Sequence, residues 1–225
     1  MALKLLTPPA AEPLTLAETK FYLKLTDAGD DVLISQMITA VRKSCEHWTS
    51  RALVTQIWGL WCDGFPHRER DRLPPDGYFE LPVDYADDPQ RVIFIPRPPL
   101  QWVSFLKTYS SGNQATVFDP GQYFLDTASE PGRIVLNQGA AWPSDLRPAN
   151  SVEIEFVAGY GDASAVPAAL KQGMLLWIKL LYAGRNWLFE QGESTAGLIE
   201  FNRSDVPSPV ISLWSPYKVY SLNPR

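Results

Sequence analysis

The sequence predicts an α+β protein, with helices at its start, an antiparallel β-region of roughly six strands in its middle and a further helix after Pro167. Three observations carry this reading. Apolar residues repeat with a helical period through Leu33, Ile34, Met37, Ile38, Val41, Cys45 and Trp48. From Leu53 the composition changes to β-branched and aromatic runs separated by turn residues. Beyond Pro167 the helical period returns.

The first helix is placed near 16–25, because Thr15 followed by Glu18 has the form of a capping box ahead of Leu16, Thr19 and Leu23. The turn Asp27-Ala28-Gly29 then gives way to Asp30 and Asp31, acidic residues that suit a helix N-terminus. The long amphipathic helix follows, with Ser35, Gln36, Arg42, Lys43 and Glu46 mainly off its apolar face. Strands are expected in VTQIWGLWCDGF, in RVIFI (91–95), WVSFLKTY (102–109), QYFLD (122–126) and RIVL (133–136), and in SVEIEFVAGY (151–160). Turn clusters at 110–113 and 119–121 separate several of them. The helix after Pro167 is expected to run to about Tyr182 and to end near Gly184. Between Met174 and Ala183 its one charged residue is Lys179, so it must be covered on several sides, and it is shorter than the roughly twenty residues of a membrane span.

Composition excludes several function classes. With 45% hydrophobic residues the chain can fill a real core, and its 20 prolines punctuate the regions 66–168 and beyond 206. A formal net charge of −5 has the wrong sign for gripping phosphate backbones, so DNA is expected to slide past rather than bind. Two cysteines, Cys45 and Cys62, are too few for a stapled secreted scaffold and are expected to be buried thiols. The opening MALKLLTPPAAEPLTLAE lacks the long apolar run of a signal peptide, which leads us to expect a chain made in the cytoplasm, with no membrane partner.

No constellation argues for catalysis. The phosphate-loop, dinucleotide and H-E-x-x-H signatures are absent from the sequence, and neither His47 nor His67 has a partner at metal-ligand spacing. Glu153 and Glu155 would share one face of a strand about 7 Å apart, the spacing of an inverting glycosidase pair, but alternation with Val152, Ile154 and Phe156 marks the wet face of a half-buried strand. Asp84, Asp87 and Asp88 lack the layout of a calcium loop, and Gly192 to Gly197 is one residue too long for a nucleophile elbow. The run from His67 to Arg72 alternates in sign, as a solvated loop does. We therefore expect no enzyme, no cofactor and no metal. Trp58, Trp61, Trp102, Trp142, Trp177, Trp187 and Trp214 are expected mostly in the core; in part they could stack on sugars, so a carbohydrate-binding β-module is the alternative reading. After residue 206, aromatic anchors stand among prolines and serines with little sequence for a core of their own, so this tail should dock against its own domain or a partner.

The succession of TSRAL (49–53), RPPL (97–100), EPGRI (130–134) and FVAGYGDASAVPAALKQ (156–172), closing with VPSPVISLWSPYKV (206–219), resembles the head-tail connector, or adaptor, proteins of tailed bacteriophages. The match is to the long form typified by a Burkholderia phage protein. It spans nearly the whole chain in order, and departs from a typical member in the long loop 67–90.

The resemblance implies a helical bundle core, 1–53 and 165–190, assembled from the N-terminal helices and the helix after Pro167. It also implies an antiparallel β-rich insertion at 54–164 and a C-terminal docking tail at 191–225. It implies a virion protein at the head-tail interface, in a closed ring of about twelve copies built by contacts between unlike patches. Partners would be the portal protein and a tail-completion protein, stopper or tail terminator, with DNA passing unbound through the lumen. Under this resemblance Val210, Leu213, Trp214, Tyr217 and Tyr220 would engage the portal. Met174, Trp177, Ile178 and Leu181 would meet the neighbouring subunit.

Overall fold

A computed structural model describes residues 1–66, 91–184 and 206–219. The chain divides into two compact units, Met1–Pro8 with Gln56–Gly159 and Pro9–Thr55 with Tyr160–Arg225.

The first unit is built of strands. β1 (Ala2–Thr7), β2 (Gln56–Cys62), β4 (Leu100–Tyr109), β5 (Ala115–Val117) and β8 (Val152–Ala158) form a five-stranded sheet in the order β1-β2-β8-β4-β5. β3 (Val92–Phe94), β6 (Tyr123–Asp126) and β7 (Arg133–Leu136) form a three-stranded sheet in the order β3-β7-β6. Every pairing is antiparallel. The period-two alternation of β8 sets its faces: Ile154 sits opposite Leu60 and Leu106, all fully buried, whereas Glu153 sits opposite Trp61 and Lys107, which are half-exposed.

The sequence pattern predicts neither β1 nor β5. β1 draws its pairing from β2, more than fifty residues away, and β5 is three residues long inside a turn-rich stretch. β1 bulges between Leu5 and Thr7, just before Pro8 and Pro9 end it.

The distinctive short motifs meet here. Gly132 of EPGRI packs so closely on Leu100 of RPPL that a Cβ on the glycine would collide with the leucine side chain. The Ile95 amide donates to Gly132 O at 2.8 Å, and the Gly159 amide donates to Pro99 O at 2.9 Å. Both motifs hold a cis peptide bond, Pro98-Pro99 and Glu130-Pro131. Their residues serve the internal fit of the β-unit.

The second unit is helical, with α1 (Leu16–Leu23), α2 (Asp31–Thr49), α3 (Ala168–Ala183) and α4 (Ser208–Trp214). The Thr15 hydroxyl accepts the Glu18 amide at 3.1 Å and caps α1 as its sequence predicts. α2 buries Ile34, Ile38, Val41 and Cys45, four of the residues that define its apolar period. These meet Leu170, Met174 and Ile178 of α3 and Val210 and Trp214 of α4 in one core. α4 begins with Pro207 at its cap and Pro209 in its first turn, positions where proline favours a helix rather than ending it. The segment after TSRAL closes on Gly161: Thr55 donates to Gly161 O through its amide at 2.9 Å and its hydroxyl at 3.0 Å.

Candidate functional site

No three His, Cys, Asp or Glu side chains among the described residues stand where they could share a metal ion. Glu153 and Glu155 lie on the open face of the central strand. Glu153 accepts a hydrogen bond from the Tyr109 hydroxyl at 2.5 Å, which pushes the phenol above its ordinary pKa by holding its proton against a carboxylate. The Arg147 guanidinium stacks over that ring, its central carbon 4.0 Å from the centroid.

Both cysteines are free thiols. Burial, with Glu46 nearby, pushes Cys45 far above the usual thiol range, so it is a packing residue and not a nucleophile. Cys62 is only half-buried, against expectation, because it ends β2 where the sheet meets solvent; burial still raises its pKa. No described helix is long and apolar enough to cross a membrane.

Four of the residues that the resemblance assigns to assembly lie wholly inside the helical unit. Val210, Trp214, Met174 and Ile178 have no exposed surface. Leu213, Tyr217, Trp177 and Leu181 are half-buried against the same core. Tyr220 lies outside the described residues, as do loop 67–90, Trp187 and the 192–197 segment. The C-terminal segment is thus held by its own chain. Trp214 donates from its indole nitrogen to Leu170 O at 3.1 Å, and its ring meets those of Trp48 and Trp177 at centroid distances of 6.2 and 5.5 Å. Further along, Arg51 donates to Tyr217 O at 2.5 Å and the Val219 amide donates to Thr49 O at 2.9 Å.

The other tryptophans depart from the core expectation. Trp58, Trp61 and Trp142 are half-buried and Trp102 is 50% exposed. Trp61 lies flat over Gly59, where any side chain would collide with its ring. Trp142 stacks on Phe65 at 4.4 Å. The faces of β2 and β4 carry Trp58, Trp61 and Trp102, and a loop carries Trp142.

Exposed apolar side chains mark the surfaces that have no cover within the described residues. In the helical unit they are Phe21 and Val32, 88% and 73% exposed. In the β-unit, Phe94 and Phe124 stand on the two edge strands of the smaller sheet, and Leu5, Leu6 and Val117 on the two edge strands of the larger one. Exposed apolar side chains mark an interaction surface where they join into a patch, whereas single ones are ordinary. Sequence reasoning misses them because exposure at an edge depends on strand order, not on local pattern.

No protein-family model matches the chain, and no curated protein does either. Solved structures do. A chain in the neck of an empty gene transfer agent particle, computed with C6 symmetry, aligns over 99% of this chain and 98% of its own with a TM-score of 0.68 at 20% identity. A chain in the virion of the native particle aligns over the same shares with a TM-score of 0.67 at 20% identity. A chain in the native neck computed with C12 symmetry aligns with a TM-score of 0.61 at 21% identity. The chain shares the whole fold of these neck and virion chains, both units included.

Proposed function

We propose that this chain is a structural adaptor of a tailed phage or phage-like particle, a ring in the neck between portal and tail. One observation carries the reading: the fold coincides end to end with chains from the necks of gene transfer agent particles, for which C6 and C12 symmetry were used. Rotational symmetry of that kind places like subunits around an axis, each meeting its neighbours through two unlike patches. The order of sequence motifs supports the same reading independently of the fold.

In this role the work is geometric. The ring, of about twelve copies, extends the portal channel and offers a docking surface to a stopper or tail terminator protein. The net charge of −5 suits a channel along which DNA moves without being held. No turnover is required. Portal contact falls to Leu213 and Tyr217, the half-exposed members of the C-terminal group, with Tyr220 beyond the described residues. Subunit contact falls to Trp177 and Leu181, while Met174, Ile178, Val210 and Trp214 hold the helical unit together beneath them.

Mixing the purified chain with the portal of the same virus tests this. Co-sedimentation, with an annular density beneath the portal in averaged images, is the expected result. A chain that stays unbound at micromolar concentrations refutes the proposal. The exposed Trp102 and the half-exposed Trp61 and Phe105 on one sheet face favour a second reading, a sugar-binding module, which predicts a monomer that binds glycans.

A further inference from the structure

The larger sheet ends in two edges, β1 and β5, that no other strand of the described residues covers. Isolated edges are usually guarded by charge, proline, bulges or brevity, because a row of unpaired N–H and C=O groups invites another chain. β1 is six residues long and its side chains carry one charge, Lys4; its bulge falls between Leu5 and Thr7, next to Pro8, and leaves Ala2 to Leu5 as a regular edge. The opposite edge is longer than β5 alone: the Ser110 amide donates to Gln114 O and the Phe118 amide to Leu106 O at 2.7 Å, so Gln114 to Phe118 follows the sheet without a single charged side chain. Apolar side chains stand exposed on both edges, with Leu5 and Leu6 at 37% and 40% on one and Val117 at 55% on the other.

The two edges also match in direction. Four antiparallel steps separate β1 from β5, so the two strands run the same way. Rotation about a ring axis along the strands preserves direction, and β5 of one copy would meet β1 of the next as a parallel pair. Their lengths are comparable. Five strands at about 4.8 Å, repeated about twelve times, would close a belt of roughly 45 Å radius, wide enough for DNA to pass.

We infer that a second copy of this chain occupies each edge, β5 of one subunit adding to β1 of the next, so that the larger sheets join into a continuous belt around the ring. This rests on the ring reading above and specifies one contact within it. The two unlike edges add to the subunit contact at Trp177 and Leu181 the unlike pairing a closed ring uses, and main-chain bonds supply the register, as in strand addition to other sheet edges.

Hydrogen exchange on the full chain, free and assembled on the portal, reads the contact directly. Peptides covering 2–7 and 114–118 should exchange on the order of tenfold more slowly in the ring than in the free chain. Leu5→Lys and Val117→Lys should each abolish ring closure while leaving thermal unfolding of the free chain within a degree or two of the parent. A ring that forms with both peptides unprotected, or that both lysine variants still build, overturns the edge contact and leaves the ring reading standing. A parent chain that forms no ring on the portal overturns both.

Discussion

Trp214 rests on Gly173, and there is no room between them: a Cβ built on the glycine would collide with the indole nitrogen and the adjoining ring carbons. Gly173 is a helix-interior residue of α3, where replacing glycine by alanine ordinarily gains about 1 kcal/mol of helix propensity. Here the gain should reverse. Gly173→Ala is expected to destabilise the helical unit by about 1–3 kcal/mol through overpacking, and Trp214→Ala by about 3–5 kcal/mol through the cavity it leaves. Urea unfolding of both variants checks this. A Gly173→Ala protein more stable than the parent would contradict the packing described.

Arg42, with 6% of its side chain exposed, bridges two carboxylates, Glu12 and Glu46, at 2.7 Å each. The second oxygen of Glu46 accepts the Leu53 amide at 3.1 Å, which ties α2 to the segment after it. Arg42→Met removes the cation that bridges Glu12 and Glu46 and should cost about 3–5 kcal/mol. Adding Glu46→Gln should recover part of the loss, because the amide oxygen still accepts from Leu53 and carries no charge. Chemical denaturation of the single and double variants measures the difference.

Asp126 links β6 to β7. It accepts from the Ser129 hydroxyl at 2.6 Å, from Arg133 Nε at 2.8 Å and from the Ala128 amide at 3.0 Å. The Ser129 bond, then Arg133, hold its carboxyl well below the usual carboxylate range. A depressed folded pKa stabilises the protein fully above the unfolded value of about 3.9 and loses that contribution as pH falls toward the folded one. Asp126→Asn should therefore lower the melting temperature at neutral pH and flatten its decline below about pH 4. A variant with the parent's acid slope would show that Asp126 contributes nothing to it.

Tyr109 reports on the open sheet face. With its hydroxyl donating to Glu153, it should ionise above the ordinary tyrosine value of about 10, and Glu153→Gln should bring it back toward that value. Phenolate absorbance during alkaline titration follows this one ring against the others. The same variant should leave portal binding intact, since Glu153 has no part in the proposed contacts.

Leu213 and Tyr217 separate the fold of the C-terminal segment from its proposed contact. Tyr217→Ala removes a half-exposed ring whose backbone carbonyl still accepts from Arg51. It should weaken portal binding at least tenfold while costing about 1–2 kcal/mol of stability, less than Trp214→Ala. Equal portal affinity in parent and variant would remove Tyr217 from the proposed interface.

What the sequence makes legible follows from how locally each feature is determined. α2 is readable because Ile34, Ile38, Val41 and Cys45 repeat at the period that buries them, and β8 because Val152, Ile154 and Phe156 alternate with Glu153 and Glu155. β1 is not, since ALKLLT becomes a strand only by pairing with β2. α4 is hidden by its prolines, although Pro207 and Pro209 mark a helix start when taken with Val210 and Trp214 one turn apart. The aromatic tail docks in the chain's own helical core, which composition alone cannot tell from a partner's surface. Of the nine residues that the resemblance assigns to assembly, those at 0% exposure share the apolar character of interface residues because a core and an interface select the same side chains.

The most direct test of the adaptor account is the mass of the complex between this chain and its portal. Twelve chains of 25.2 kDa add roughly 300 kDa to the portal, and the account predicts that added mass with no stable intermediate of one or two copies. An unchanged portal mass at saturating chain, together with a monomer that binds glycans, would contradict it.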